Sequence, residues 1–257
     1  MSKEATATLL RCLQELRLTT VRSQLEEVTR QATAESWSYK AFLTELLERE
    51  RQQRQHQRIE RLLKGSRLPL EKNWASLDLQ RFPTKVTQQL RGLLSGDFLD
   101  RRENVLMFGP PGSGKTHALS AVSQELVRAG RPILSVKCSL LVQELLKAKR
   151  DLCLKEILRE LSRWQGLLID DLGYVQQSRE EMEVLFTLLA ERYERGSVLI
   201  TSNLAFSQWE QIFKDPMTTA AAIDRLVHHS VIVELNVPSY RMEAAKRQKG
   251  NGKPPKQ

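Results

Sequence analysis

The run Gly109-Pro110-Pro111-Gly112-Ser113-Gly114-Lys115-Thr116 holds the residue types that can surround a chain of phosphates. A glycine, four variable positions and then Gly-Lys-Thr make the P-loop pattern, G-x-x-x-x-G-K-[ST]. Glycines let successive backbone N–H groups turn inward around an anion with no Cβ in the way. The helix that follows begins with unpaired N–H groups and a positive dipole end aimed at the same anion. Lys115 is suited to neutralise the β- and γ-phosphates, and the Thr116 hydroxyl to take one position on Mg²⁺. The plainer alternative is a chance glycine-rich turn. Against it stands the setting: the apolar segment Val105-Leu106-Met107-Phe108 comes before the run, and helical periodicity, starting at His117, comes after. The residues imply a bound nucleoside triphosphate, ATP by default, with Mg²⁺.

A P-loop by itself does not imply hydrolysis. The run Leu167-Leu168-Ile169-Asp170-Asp171 supplies the missing half. An apolar strand ending in acids can carry Asp170 to the Mg²⁺ shell, while Asp171 polarises an attacking water. A strand followed by an Asp-rich turn would look the same in isolation. Coupled to a P-loop at ordinary domain distance, the pair reads as the acidic side of an ATPase.

These residues need a scaffold, and from Asn104 onward the chain alternates strands and helices. Strands are expected at Val105–Phe108, Pro132–Lys137, Leu167–Asp170, Val198–Ser202 and Val231–Leu235. Helices are expected at His117–Arg128, Leu140–Lys149, Leu152–Trp164, Glu180–Arg195, around Trp209–Phe213 and at Thr219–Leu226. All-apolar runs such as Leu167-Leu168-Ile169 suit strands buried on both faces. The expected fold class is α/β, a five-stranded parallel sheet with ligands at the strand C-terminal ends, behind a small all-α N-terminal domain. Residues 1–66 form that helical domain, 67–100 a linker ordered against the next domain, 101–240 the ATPase domain and 241–257 a basic, disordered tail. Within the linker, Pro69 and Pro83 limit helix formation. Either Trp74 or Phe82 could cover the nucleotide base, and either could be plain packing.

In the N-terminal part, apolar residues recur at helical spacing from Thr8 to about Thr29. A second helix runs from Ser38, a plausible N-cap, to about Lys64. Arg51, Arg54, Arg58 and Arg61 are spaced three, four and three, so they share one face of it. A solvated helix face is the bland reading. The sharper one is a ridge contacting DNA phosphates, with strongly salt-dependent affinity. The chain's net charge of +9 agrees with such a partner. No zinc-finger or helix-turn-helix signature accompanies the ridge, so the expected binding is sequence-independent. No apolar run approaches a membrane span, and no signal-peptide core opens the chain. Three cysteines without metal spacing suggest reduced thiols and a cytoplasmic location.

The combination resembles the AAA+ ATPases, and among them the branch of IstB-type transposition helpers and DnaC-type helicase loaders. Besides the P-loop, the matching pieces are Glu103-Asn104-Val105-Leu106, Leu168-Ile169-Asp170-Asp171-Leu172-Gly173, Thr201-Ser202-Asn203, Asp224-Arg225-Leu226-Val227-His228-His229 and Ser239-Tyr240-Arg241. Leu16-Arg17-Leu18 and the arginine-rich helix look like the IstB side. The resemblance implies that Asn203 is the sensor 1 residue, holding the attacking water or the γ-phosphate. It implies that Arg225 is an arginine finger serving the neighbouring subunit's ATP, and that Arg241 lies in the sensor 2 region. His117 enters the nucleotide site as part of the matching run. Most AAA+ proteins carry the sensor 2 arginine on a helical lid, for which this chain has no room. Asp171 stands where a Glu is commoner in the family.

Two functional readings follow. In the first, an ATP-regulated homo-oligomer with head-to-tail contacts assembles on duplex DNA and recruits or activates a transposase. In the second, the chain is a helicase loader. The arginine face and the Leu/Arg pattern favour the first. A small-molecule kinase is disfavoured, since no second substrate site is apparent.

Overall fold

The computed structural model describes residues 3–173, 178–204, 208, 223–224 and 226–240. The chain divides into two compact units, Met1–Arg61 and Leu62–Gln257.

The first unit is helical, with α1 at Lys3–Glu15, α2 at Thr19–Ala34 and the greater part of α3, Tyr39–Gly65. Leu13, Val21, Val28 and Leu46 form its core. The periodic run from Thr8 to Thr29 is thus two helices. Arg17 breaks it by taking φ 55°, while the Leu18 N–H closes back on the Leu13 carbonyl at 2.8 Å. That is a helix-ending turn normally advertised by glycine. With arginine there, the sequence carries no visible stop. Ser38 does cap α3, its Oγ accepting the Ala41 N–H at 3.2 Å.

Helix α2 has Leu18 at its N-cap and no side-chain cap of its own. Glu50 of α3, only 4% exposed, provides one from across the unit. Its Oε2 accepts the N–H groups of Thr20 at 2.8 Å and Val21 at 3.1 Å, and its Oε1 pairs with Arg54 Nε at 2.7 Å. Burial alone would raise the Glu50 carboxyl's pKa. Arg54 and the two amides outweigh it and hold the group below the usual glutamate value.

In the second unit, the segment expected to be a linker is more regular than its prolines suggest. It contains a 3₁₀ turn at Leu79–Arg81, α4 at Thr84–Leu93 and the short α5 at Asp97–Asp100. Pro83 sits at the N-cap of α4, where a missing N–H costs nothing, so it starts a helix rather than preventing one. Val86, Leu90 and Leu93 are the buried face of α4. Gln124 pins the earlier part of the segment, donating to the carbonyls of Pro69 at 2.9 Å and Lys72 at 3.0 Å.

The sheet contains β1 (Asn104–Phe108), β2 (Ile133–Lys137), β3 (Gly166–Leu172), β4 (Ser197–Ser202) and β5 (Ser230–Glu234). All pairs are parallel, in the order β2-β3-β4-β1-β5. Between the strands run α6 (Lys115–Arg128), α7 (Cys138–Arg150), α8 (Leu154–Ser162) and α9 (Arg179–Arg192). Strand alternation divides the core. Val105 and Met107 face α4 and α6, whereas Leu106 and Phe108 face α7 and α9. The helices expected around Trp209–Phe213 and over most of Thr219–Leu226 lie outside the described residues. At the strands' N-terminal end, Arg192 is buried and donates to the carbonyls of Leu161, Trp164, Gln165 and Ser197. Burial lowers its pKa to about 10, so it stays charged at neutral pH.

Replacing Glu50 with Ala strips two first-turn amides of α2 of their acceptor and should cost about 1–3 kcal/mol at pH 7. Because the folded pKa is depressed, this stabilisation is present above the unfolded glutamate value of 4.5 and is lost as pH falls through the lower folded value. Hydrogen exchange of the α2 amides in the full chain should therefore accelerate in the variant at pH 7. The gap from the parent chain should shrink below pH 4.5.

Candidate nucleotide site

Strand β1 ends at Phe108, and the chain turns through Gly109–Gly114 into α6. Gly114 is the N-cap at φ 101°, so Lys115 and Thr116 open the helix. Lys115 is buried, its Nζ donating to the carbonyls of Gly109 at 2.7 Å and Pro110 at 3.0 Å. Ser113 Oγ is buried without a hydrogen-bond partner among the described residues. Pro110 and Pro111 are exposed at the loop's tip. An ammonium group folded onto loop carbonyls, an orphan hydroxyl and a helix N-terminus together form a cradle that fits phosphate oxygens.

Chain segments remote in sequence press on this loop. Gly112 has φ 79°, and a Cβ there would lie 2.1 Å from Ser239 Oγ. The Tyr240 N–H donates to the Gly112 carbonyl at 2.9 Å. Arg81 reaches the Pro238 carbonyl at 3.1 Å and lies 4.9 Å from the Tyr240 ring centroid, a cation–π contact. A Cβ on Gly114 would meet the Phe82 ring at 3.4 Å, whereas Trp74 packs against the apolar core. His117 lies with the segment before α4, its Nε2 being 3.1 Å from Ser76 Oγ and 3.3 Å from the Asn73 carbonyl.

Asp170 is the buried centre of the acidic side. Its Oδ1 accepts from the hydroxyls of Thr116 at 2.8 Å and Thr201 at 2.6 Å. Thr116, Lys115 and Asp170 are therefore brought together, as their types require. Asp171 is exposed, with φ 62°, and its N–H donates to Thr201 Oγ1 at 2.9 Å. Asn203 is half-buried, one residue past the end of β4. Arg225 and Arg241 lie outside the described residues. Sequence reasoning placed Thr201 and Ser239 in runs that resemble the AAA+ ATPases but gave neither a role, and it passed over Arg81. For Thr201 there was a signal: it precedes Asn203 by two residues on the strand that flanks the acids.

The sequence matches the family described as IstB-like ATP binding protein over residues 11–248. The chain belongs to that family. A relative from Sinorhizobium fredii, provisionally named an insertion sequence ATP-binding protein, is 40% identical across 93% of this chain and 81% of its own length. The corresponding protein of insertion sequence IS21 from Pseudomonas aeruginosa is 36% identical across 91% and 89%. Among solved structures, DnaI aligns with TM-score 0.54 at 22% identity, over 66% of this chain and 95% of DnaI. AMPPCP-bound DnaA from Aquifex aeolicus aligns with TM-score 0.56 at 16% identity, over 74% and 59%. Over the aligned part, this IstB-like chain has the fold of DnaI and DnaA.

The donors of the IstB-like site also suit a hard divalent cation. A threonine hydroxyl and a carboxylate within hydrogen-bond distance of each other are both oxygen ligands, the set that Mg²⁺ prefers. In the helical unit the four arginines are unequal. Arg51 pairs with Glu48, Arg54 with Glu50, and Arg61 Nε donates to the Gln57 carbonyl at 3.1 Å. Arg58 is exposed, with no hydrogen bond or ion pair among the described residues.

Gly112→Ala puts a Cβ into both a left-handed backbone and the Ser239 side chain. Titration with a fluorescent ATP analogue should show affinity reduced about tenfold or more, with the far-ultraviolet circular dichroism spectrum unchanged.

Proposed function

We propose that this IstB-like chain is an ATPase that assembles head-to-tail on duplex DNA and serves an insertion-sequence transposase. The observation that carries the reading is the Thr116–Asp170 hydrogen bond of 2.8 Å at the start of the helix that Lys115 opens, which sets oxygen ligands suited to a cation beside the phosphate cradle. Kinship to insertion-sequence ATP-binding proteins supports the assignment to transposition.

In the proposed cycle, Lys115 exchanges its loop carbonyls for the β- and γ-phosphate oxygens. Thr116 and Asp170 would hold Mg²⁺, which when bound would neutralise charge on the phosphates. Asp171 orients and deprotonates the attacking water, and Asn203 holds that water or the γ-phosphate. Arg225 of a neighbouring subunit stabilises the transition state, so that hydrolysis requires assembly. Contacts of this kind propagate into rings or helical filaments. Arg58 and Arg61 lead the contact with DNA phosphates, because Arg51 and Arg54 are already paired with carboxylates.

Asp171→Asn is the discriminating substitution, since asparagine tolerates the left-handed backbone and removes only the base. ATP turnover should fall about 100-fold or more while ATP affinity stays within about threefold; unchanged turnover would reject the role. Replacing Arg58 and Arg61 together with Ala should make the slope of log affinity against log salt shallower by about 1.8 on duplex DNA. Electron micrographs with a non-hydrolysable ATP analogue should show ordered oligomers on duplex. A stable complex with a replicative helicase, and no such oligomers, would instead identify a loader.

A further inference from the structure

Strands β3 and β4 pair in register at Ile169 with Ile200 and again at Leu172 with Ser202. Between these points β3 has two residues, Asp170 and Asp171, against the single Thr201 of β4. This is a β-bulge. It inverts the facing of the strand, since Leu167, Ile169 and Leu172 all enter the same hydrophobic cluster. Simple alternation would send Leu172 to the other face. The bulge thus keeps both acids out of the hydrophobic cluster at the C-terminal end of the strand, Asp170 buried and Asp171 exposed.

One side chain occupies the gap. The Asp171 N–H can only donate, so Thr201 Oγ1 accepts it and commits its own proton to Asp170 Oδ1. The chain of bonds is directional, from the Asp171 amide through the Thr201 hydroxyl to the Asp170 carboxylate. Thr201 is fully buried, and the second donor to the same Oδ1 is Thr116. Oδ2 of Asp170 is left without a protein partner among the described residues.

We infer that Thr201 is a positioning residue that locks the bulge and sets both acids at once, Asp170 toward the cation and Asp171 toward the water. The inference deepens the ATPase reading and depends on it. Hydrogen bonds to charged groups are worth a factor of about 10–100 in an equilibrium. Thr201→Val keeps the shape and removes the hydroxyl, and Thr201→Ser keeps the hydroxyl.

The test is nucleotide binding, measured with an ATP analogue in Mg²⁺ and again in EDTA, on the full chain. Thr201→Val should weaken binding about tenfold in Mg²⁺ and less than about twofold in EDTA, with turnover lowered as well. Thr201→Ser should restore both to within about twofold of the parent chain. Equal losses in Mg²⁺ and EDTA, or no loss in either, would overturn the inference, as would a serine variant that behaves like the valine one. If the valine variant does not fold, Thr201→Ala is read by the same criteria. A parent chain that turns over no ATP in Mg²⁺, alone or with duplex DNA, would refute the ATPase reading itself, which separates the two failures.

Discussion

The two halves of the nucleotide site stand on strands that never pair. β1 leads into the phosphate loop and β3 carries the acids, with β4 between them. What joins the halves is a pair of hydroxyl–carboxylate hydrogen bonds, from Thr116 and Thr201 to one oxygen of Asp170. In a buried setting such bonds are strong, and leaving the carboxylate without them would be costly. The rest of the second unit can be understood as what holds those three residues in reach. The parallel order brings the C-terminal ends of β1, β4 and β3 to one edge. Helices on both faces exclude water from the strands beneath.

The loop is also confined from outside. Residues 235–240 continue from β5 across Gly109 and Gly112, and Arg81 fastens them by a hydrogen bond and a cation–π contact. Phe82 closes on Gly114. The segment before the sheet and the segment after it therefore meet over the phosphate cradle. Glycine at position 112 is demanded twice, by its backbone angle and by its neighbour, which is a stronger constraint than either would impose.

Arginines in this chain illustrate how tertiary contacts reassign charge. Four lie along one face of α3, yet Arg54 is held by Glu50 and by the Arg17 carbonyl, and Arg51 by Glu48. Arg192 has no carboxylate partner in the described structure and instead ties together the carbonyls that begin β3 and β4. A count of basic residues treats these as equivalent. Their partners make some of them structural cement and leave others at the surface.

The sequence by itself determined the sheet and the motif. Short apolar runs of two to four residues, bracketed by helical periodicity, favour strands packed under helices, and all five strands lie where that pattern places them. Gly-Lys-Thr after β1 and the paired acids of β3 were legible for the same reason, since their chemistry is local. Tertiary structure decided what depends on residues far apart. The break at Arg17 uses no glycine, the cap of α2 comes from Glu50 some thirty residues on, and α4 begins at a proline that reads as a breaker. The bulge at Asp170 and Asp171 belongs to the same class, because the count of residues in one strand has meaning only against its neighbour. Hydrogen-bond partners across a sheet are chosen by register, and register is a property of two strands together.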